Sequence, residues 1–203
     1  MKQWFQKTLA FILAASMVFG FLLMIPGTTL TADAAYTGNA EEDVTVFAQG
    51  EDTYVGRFAD VTRLQDDTLL SACYWAPVSS HAAMAYGDPL GCIKVTYGSA
   101  DAKTWSEPAE LITPEKLGQW GLGVWRDDAG NFYYNAEDAA ANNASIQVEP
   151  RDPNLAVMPD GTVLLTFFMR VPTESNFLGK TLEVYSNSVF SPAGAFIMYS
   201  KDN

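Results

Sequence analysis

Two side chains that can carry protons lie in one loop of the sequence. His81 and Asp88 both belong to A-P-V-S-S-H-A-A-M-A-Y-G-D-P-L-G, between two segments rich in β-formers. A histidine titrates near neutral pH and a carboxyl group can protonate a leaving group, so both are candidate acid–base residues. Each has a structural alternative. Asp88 before Pro89 suits a turn, and a lone loop histidine often forms only surface hydrogen bonds.

Two arginines open similar segments further along the chain. Arg57 begins R-F-A-D, and Arg151 begins R-D-P-N-L. The planar fork of a guanidinium binds carboxylates in a bidentate manner, so both are candidate binding residues. Asp152 could hydrogen-bond a ligand hydroxyl. The alternatives are that Arg57 forms a structural salt bridge and that Arg151 pairs with Asp152 to organise neighbouring parts of the fold.

Short strand-like segments must position these residues. The β-formers cluster in Phe58–Leu64, Thr68–Trp75, Gly91–Tyr97, Ala109–Ile112 and Asn131–Tyr134. Turn residues such as Gln65-Asp66-Asp67 separate them, and no long amphipathic helix follows the N-terminal segment. The sequence therefore predicts an all-β chain.

An internal repeat organises the predicted strands. The segment R-F-A-D-V-T-R-L-Q-D-D-T-L-L from Arg57 aligns without gaps with the segment from Arg151, and Asp66 matches Asp160. A Ser-x-Asp element follows each copy, at Ser99 and at Ser200. A four-stranded unit that recurs in this way is typical of β-propeller blades.

The stretch S-A-D-A-K-T-W predicts a structural turn. Ser99 and Asp101 can hydrogen-bond backbone groups of a tight turn. Thr104 and Trp105 follow, and the indole can bury a large apolar area beneath the turn. The terminal S-K-D-N, with Ser200 and Asp202, looks like the first half of a second such element.

This stretch resembles the Asp-box, Ser-x-Asp-x-Gly-x-Thr-Trp, of the sialidase (BNR-repeat) superfamily. It is one residue shorter, and Ala102 stands where glycine is usual. The resemblance covers residues 54–203 and implies an incomplete six-bladed β-propeller with about two blades. The first blade would span about 54–114 and the second about 150–203, with an insertion at about 115–149. Asp-boxes in this family lie at the blade periphery.

The resemblance also implies a function: exo-hydrolysis of terminal acidic sugars on glycans, without a cofactor or metal. Arg57 would bind the substrate carboxylate, Asp88 would be the acid/base residue with His81 as an alternative, and Arg151 and Asp152 would line the cavity. The family's Tyr nucleophile, its Glu and two further arginines come from later blades, so we expect this chain alone to be inactive. The alternatives are a non-catalytic propeller that binds glycans or proteins at a cell surface, and a glycosidase for another polysaccharide.

The N-terminus predicts export. Lys2 and Lys7 precede the apolar run Leu9–Ile25, and Ala32-Asp33-Ala34 has the form of a signal-peptidase site. Residues 1–35 therefore form a signal peptide or, alternatively, a retained anchor, and 36–53 an extension. We expect a secreted or cell-surface protein. Its net charge of −12 argues against nucleic-acid binding and against adsorption to anionic membranes.

The sequence leaves the state of the two cysteines and the role of the aromatic-rich insertion undecided. Cys73 and Cys92 could form a disulfide across neighbouring strands or remain buried thiols. With one histidine in the chain, a zinc site is not expected. The insertion aromatics could form a glycan platform or pack in the core. They are Trp120, Trp125, Phe132, Tyr133 and Tyr134.

Overall fold

The computed structural model describes residues 44–50, 53–56, 58–77, 86, 89–181 and 189–200. The predicted signal segment and the candidate residues Arg57, His81, Asp88 and Asp202 lie outside these ranges. Within them β strands predominate and the helices are short, which confirms the all-β class. No helix in the described part of the chain is long and apolar enough to cross a membrane.

The first sheet is antiparallel and four strands wide. Its strands are β1 (Tyr54–Val55), β2 (Asp60–Arg63), β3 (Leu69–Ala76), β4 (Cys92–Gly98) and β5 (Ala109–Ile112). β1 pairs with the end of β3 and β2 with its beginning, while β4 and β5 follow on the other side. From β2 to β5 the chain runs through the sheet as a meander, because each of these strands pairs with the next along the sequence.

The insertion after β5 folds into small elements of its own. A helix at Pro114–Leu117 leads into a π-helical turn at Gly118–Leu122. The strands β6 (Trp125–Arg126), β7 (Phe132–Tyr133) and β8 (Ser145–Ile146) form a small sheet in the order β7-β6-β8, with a helix at Ala136–Ala141 before β8.

The second main sheet has three long strands. Its first two strands are β9 (Glu149–Val157) and β10 (Val163–Pro172). The hairpin of β11 (Asn176–Phe177) and β12 (Lys180–Thr181) follows, and β13 (Phe190–Ser200) completes the sheet. The order β13-β10-β9 is antiparallel throughout.

The turn between β2 and β3 shows how the repeat closes its hairpins. The backbone N–H of Leu64 donates to the carbonyl of Thr68 at 2.8 Å. The N–H of Thr68 donates to Asp66 Oδ1 at 3.0 Å, and Asp67 has a φ of 69°. The side chain of Asp66 therefore accepts a backbone hydrogen bond within its own turn, as aspartates in turns commonly do.

The turn between β9 and β10 repeats these bonds. The N–H of Met158 donates to the carbonyl of Thr162 at 2.8 Å, and the N–H of Thr162 donates to Asp160 Oδ1 at 3.0 Å. Gly161 takes the left-handed position, with a φ of 87°. The two aligned segments thus form the same hairpin.

One hydrophobic core joins both sheets and the insertion. β3 and β4 contribute Ala72 and Ile93, and β10 contributes Phe167 and Met169. The insertion adds three fully buried residues, which are Leu117, Val124 and Val148. The insertion is therefore part of the core that the two sheets share.

The two cysteines are free and buried, so the predicted disulfide alternative is not the one present. In the β3–β4 register Cys73 lies opposite Lys94, and Cys92 lies opposite Trp75. The cysteines are therefore diagonal neighbours, whose usual Cα separation of roughly 7–8 Å exceeds what a disulfide spans. Burial raises the pKa of both thiols to about 12.

Candidate functional site

Ser99 and Asp101 hold the turn that follows β4. Ser99 Oγ donates to Asp101 Oδ1 at 2.6 Å and accepts from the N–H of Thr104 at 3.1 Å. The N–H of Lys103 donates to Asp101 Oδ1 at 3.2 Å. These hydrogen bonds lower the pKa of Asp101, and the bond from Ser99 has the largest effect. The Asp101 carboxylate thus forms its hydrogen bonds within its own turn.

Trp105 packs under the same turn. Its Nε1 donates to the carbonyl of Ala102 at 2.9 Å. Ala102 has a φ of 60°, a left-handed conformation that glycine adopts more readily than alanine. A Cβ on Gly98 would lie 2.9 Å from the indole ring, so the ring lies directly against the glycine backbone.

Ser200 lies one position away from the expected equivalence with Ser99. In the first sheet Leu69 pairs with Gly98, and in the second Val163 pairs with Ser200. Since Leu69 and Val163 are equivalent in the repeat, Ser200 takes the place of Gly98.

The Ser99–Trp105 turn and Tyr74 lie at opposite ends of the first sheet. Along β3 and β4, the pair Leu69–Gly98 lies next to the Asp-box turn, and the pair Trp75–Cys92 lies at the far end. Tyr74 belongs to that far end. A binding site built there is separate from the Asp-box.

A buried ion pair forms the base of this far end. Glu149 is 0% exposed and Arg151 is 2% exposed. Arg151 Nε donates to Glu149 Oε1 at 2.5 Å. Tyr74 Oη and the N–H of Gly91 both donate to Oε2 at 2.9 Å. Both carboxylate oxygens are therefore bonded, which is how a buried charge is tolerated.

Arg151 forms an ion pair with Glu149, two positions earlier on β9. Residues two apart on a strand face the same side, so the two side chains can meet. The Arg151 Cζ also lies 4.0 Å from the centre of the Tyr74 ring. Arg151 thus links the second sheet to the first.

Asp152 lies at a β-bulge with a strained backbone. In the β9–β10 register Thr166 pairs with Asn154 and Phe168 with Arg151, so the ladder shifts between these pairs. Asp152 has a φ of 47° and a half-buried side chain. Bulges and left-handed non-glycine residues cluster at functional sites, where they re-aim a side chain.

Arg170 adds a second cation to this end. It lies opposite Glu149 in the β9–β10 ladder and is half-buried. Burial lowers the pKa of Arg170, and the charge of Arg151 lowers it further. Its Cζ lies 5.9 Å from the Phe190 ring. The sequence analysis missed Arg170, Glu149 and Tyr74. The alternation E-x-R in Glu149–Arg151 was the signal that could have shown the buried pair.

A row of aromatic rings continues from Phe190. The Tyr86 ring lies 5.5 Å from Phe190 and 6.4 Å from Phe132, centre to centre. The guanidinium carbon of Arg126 lies 4.1 Å from the Tyr86 ring centre. Cations thus stand at both ends of the row, with Arg170 at one end and Arg126 at the other.

The insertion aromatics differ in how far they are buried. Trp125 packs closely on the backbone of Gly123, where a Cβ would lie 2.1 Å from the indole. Trp120 and Tyr134 are 46% and 43% exposed. Tyr134 Oη accepts from the N–H of Asn176 at 2.7 Å, which ties the insertion to the β11–β12 hairpin.

The chemistry available at this end is that of binding. Among the described residues it offers two half-buried guanidinium groups, a row of aromatic rings and the carboxylate of Asp152. Glu149 is fully bonded and is no candidate base. No three potential metal ligands cluster within the described ranges.

Comparisons with known proteins add little. No protein family and no curated protein matches this sequence. A crystal structure of a protein of unknown function from Dyadobacter fermentans DSM 18053 is similar, at 20% identity and a TM-score of 0.47. The match covers 77% of this chain and 35% of that one. It carries no function to this chain.

Proposed function

We propose that this chain is part of an exported, sialidase-like β-propeller that hydrolyses terminal acidic sugars from glycans. The four-stranded meander of the first sheet has the form of a propeller blade. The repeated hairpin and the Asp-box turn after β4 support the same reading. The second sheet would be the next blade.

The faces of the two sheets support further blades. Leu70 is buried against Val163 between the sheets. Its equivalent in the repeat, Leu164, is only half-buried and lies opposite Tyr199, which is 72% exposed. In a propeller each blade covers the same face of the one before it. A third blade would cover Leu164 and Tyr199 as the second covers Leu70.

The strained bulge at Asp152 is the main observation in favour of a glycan-binding site. A half-buried carboxylate in a left-handed conformation, beside the buried Glu149–Arg151 pair, is suited to bonding a sugar hydroxyl. Arg170 lies on the neighbouring strand. Arg57 as the carboxylate-binding residue and Asp88 as the acid, with His81 as its alternative, complete the proposal on the strength of the family resemblance.

Release of 4-methylumbelliferone from a fluorogenic sialoside by the complete propeller, together with NMR titration of this chain with 3′-sialyllactose and lactose, tests the proposal. Asp152→Asn keeps a residue that tolerates positive φ and removes the charge. We expect it to weaken sialyllactose binding about tenfold, the effect of losing one charged hydrogen bond. Asp128→Asn, at an exposed aspartate in the β6–β7 turn, is the matched control.

The outcomes separate the candidate functions. Binding that depends on Asp152, together with no hydrolysis by the complete propeller, favours the non-catalytic glycan-binding propeller. Equal binding of sialyllactose by the wild type and Asp152→Asn would show that Asp152 is not part of a glycan site.

A further inference from the structure

We propose that Arg126, with the rings of Tyr86 and Phe132, forms a subsite for the anionic group of an acidic saccharide. The inference rests on the proposed glycan-binding function, and it assigns specificity to the insertion. The ligand chemistry is a sugar ring that carries a carboxylate or a sulfate.

The geometry of Arg126 leaves its hydrogen-bond donors available. Its Cζ lies 4.1 Å from the centre of the Tyr86 ring and 6.0 Å from that of Phe132. A guanidinium held over an aromatic face interacts through the plane of its atoms, whereas its N–H donors lie within that plane. Stacking therefore fixes the group and keeps its fork free for an oxyanion.

No described carboxylate neutralises Arg126. Arg126 takes no part in the Arg63–Asp67 and Arg151–Glu149 ion pairs. Burial raises the pKa of Tyr86, and the charge of the nearby Glu174 adds to this, but Glu174 forms no ion pair with Arg126. An arginine held by rings without a described counter-ion is suited to take its anion from a ligand.

The carboxylate next in sequence is already bonded within its own hairpin. Asp127 accepts from the N–H of Asn131 at 2.8 Å, from Asn131 Nδ2 at 2.9 Å and from Tyr133 Oη at 2.8 Å. These bonds, led by those from Asn131, lower the pKa of Asp127 to about 2. The hairpin thus binds Asp127 to itself and leaves Arg126 without it.

The neighbouring rings suit the sugar itself. Tyr86 and Phe132, both half-buried, present their rings beside the guanidinium, and the buried Phe190 packs against Tyr86. Apolar faces of sugar rings pack on aromatic faces, while a ring substituent can reach the cation at the edge. A protein with a net charge of −12 repels anions in general, so anion binding here needs such a local cation.

Isothermal titration of the chain with three methyl glycosides tests the subsite. The probes are methyl glucuronide, methyl glucoside 6-sulfate and the neutral methyl ester of the glucuronide. We expect the two anionic probes to bind at least about tenfold more tightly than the ester, the size expected for charged hydrogen bonds. Comparing the affinities of the glucuronide and the 6-sulfate shows whether a carboxylate or a sulfate is preferred. Equal affinity for ester and glucuronide overturns the proposal without any variant.

Variants then assign the effect to Arg126. Arg126→Gln should abolish the preference for the anionic probes, and Arg126→Lys should retain part of it because the charge remains. Lys103→Gln removes one positive charge at the distant Asp-box turn and should change nothing. An unchanged preference in a folded Arg126→Gln protein overturns the assignment. If the sialoside is not hydrolysed but glucuronide binding depends on Arg126, the proposed hydrolase is wrong and the proposed subsite is supported.

Discussion

Asp60 on β2 and Leu155 on β9 join the two main sheets directly. Asp60 Oδ2 accepts from the backbone N–H of Leu155 at 2.6 Å, and the Asp60 carbonyl accepts from Ser71 Oγ at 2.8 Å. A carboxylate thus reaches from one sheet to the first strand of the next.

Asp60→Ala should destabilise the fold by about 1.5–3 kcal/mol, because it removes a charged hydrogen bond between the sheets. Urea unfolding of both proteins measures the difference. Asp128→Asn, at an exposed turn, should shift stability by less than about 0.5 kcal/mol. Equal stability of Asp60→Ala and the wild type would mean that the contact adds nothing to the packing.

Glu149→Gln should be more damaging, because it removes the negative charge that forms an ion pair with the buried Arg151. Breaking a buried ion pair costs about 3–5 kcal/mol, whereas replacing both partners by apolar residues costs far less. The double variant Glu149→Leu/Arg151→Met should therefore be more stable than Glu149→Gln in urea. A double variant that is the less stable of the two contradicts this view of the pair.

Asp127 should contribute stability that disappears in acid. Its folded pKa of about 2 lies below the ordinary value of 3.8. A carboxyl group whose pKa is lowered by folding stabilises the fold at any pH above its pKa in the unfolded state. This contribution is lost as the pH falls towards the pKa in the folded state. The difference in urea midpoint between wild type and Asp127→Asn should thus be full at about pH 6 and much smaller at about pH 2. A gap that is constant with pH would rule out the charge as its source.

Leu178→Asn should stabilise the β11–β12 hairpin. Leu178 and Gly179 have φ values of 51° and 78°, and Leu178 is 65% exposed. Two positive φ values define a type I′ turn, for which Asn-Gly is preferred. We expect a gain of about 0.5–1 kcal/mol in thermal or urea unfolding, because the strain of leucine is relieved. Leu178→Ile, β-branched at the same site, should lose stability instead.

The sequence was sufficient for the features that are local. Strand segments and turn residues predicted the all-β class, and the aligned Asp66 and Asp160 cap equivalent turns. These features depend on residues a few positions apart, whose bonding follows from the turn itself.

Features that depend on distant partners were not predicted. Glu149 bonds Tyr74, which lies 75 positions earlier, and nothing near Glu149 indicates this partner. Arg126 likewise lies over Tyr86 of a different loop. Strand alternation indicates which side chains share a face, but it does not indicate what covers that face.

The burial of Leu117, Val124 and Val148 has a consequence for how the chain folds during synthesis. This segment leaves the ribosome after the first sheet and before the second, so it is available to cover part of the first sheet's apolar face while β9 and β10 are still being made. Apolar surface exposed in a partly made domain is prone to aggregation. The insertion can thus act as a temporary cover during translation and remain afterwards as part of the finished interior.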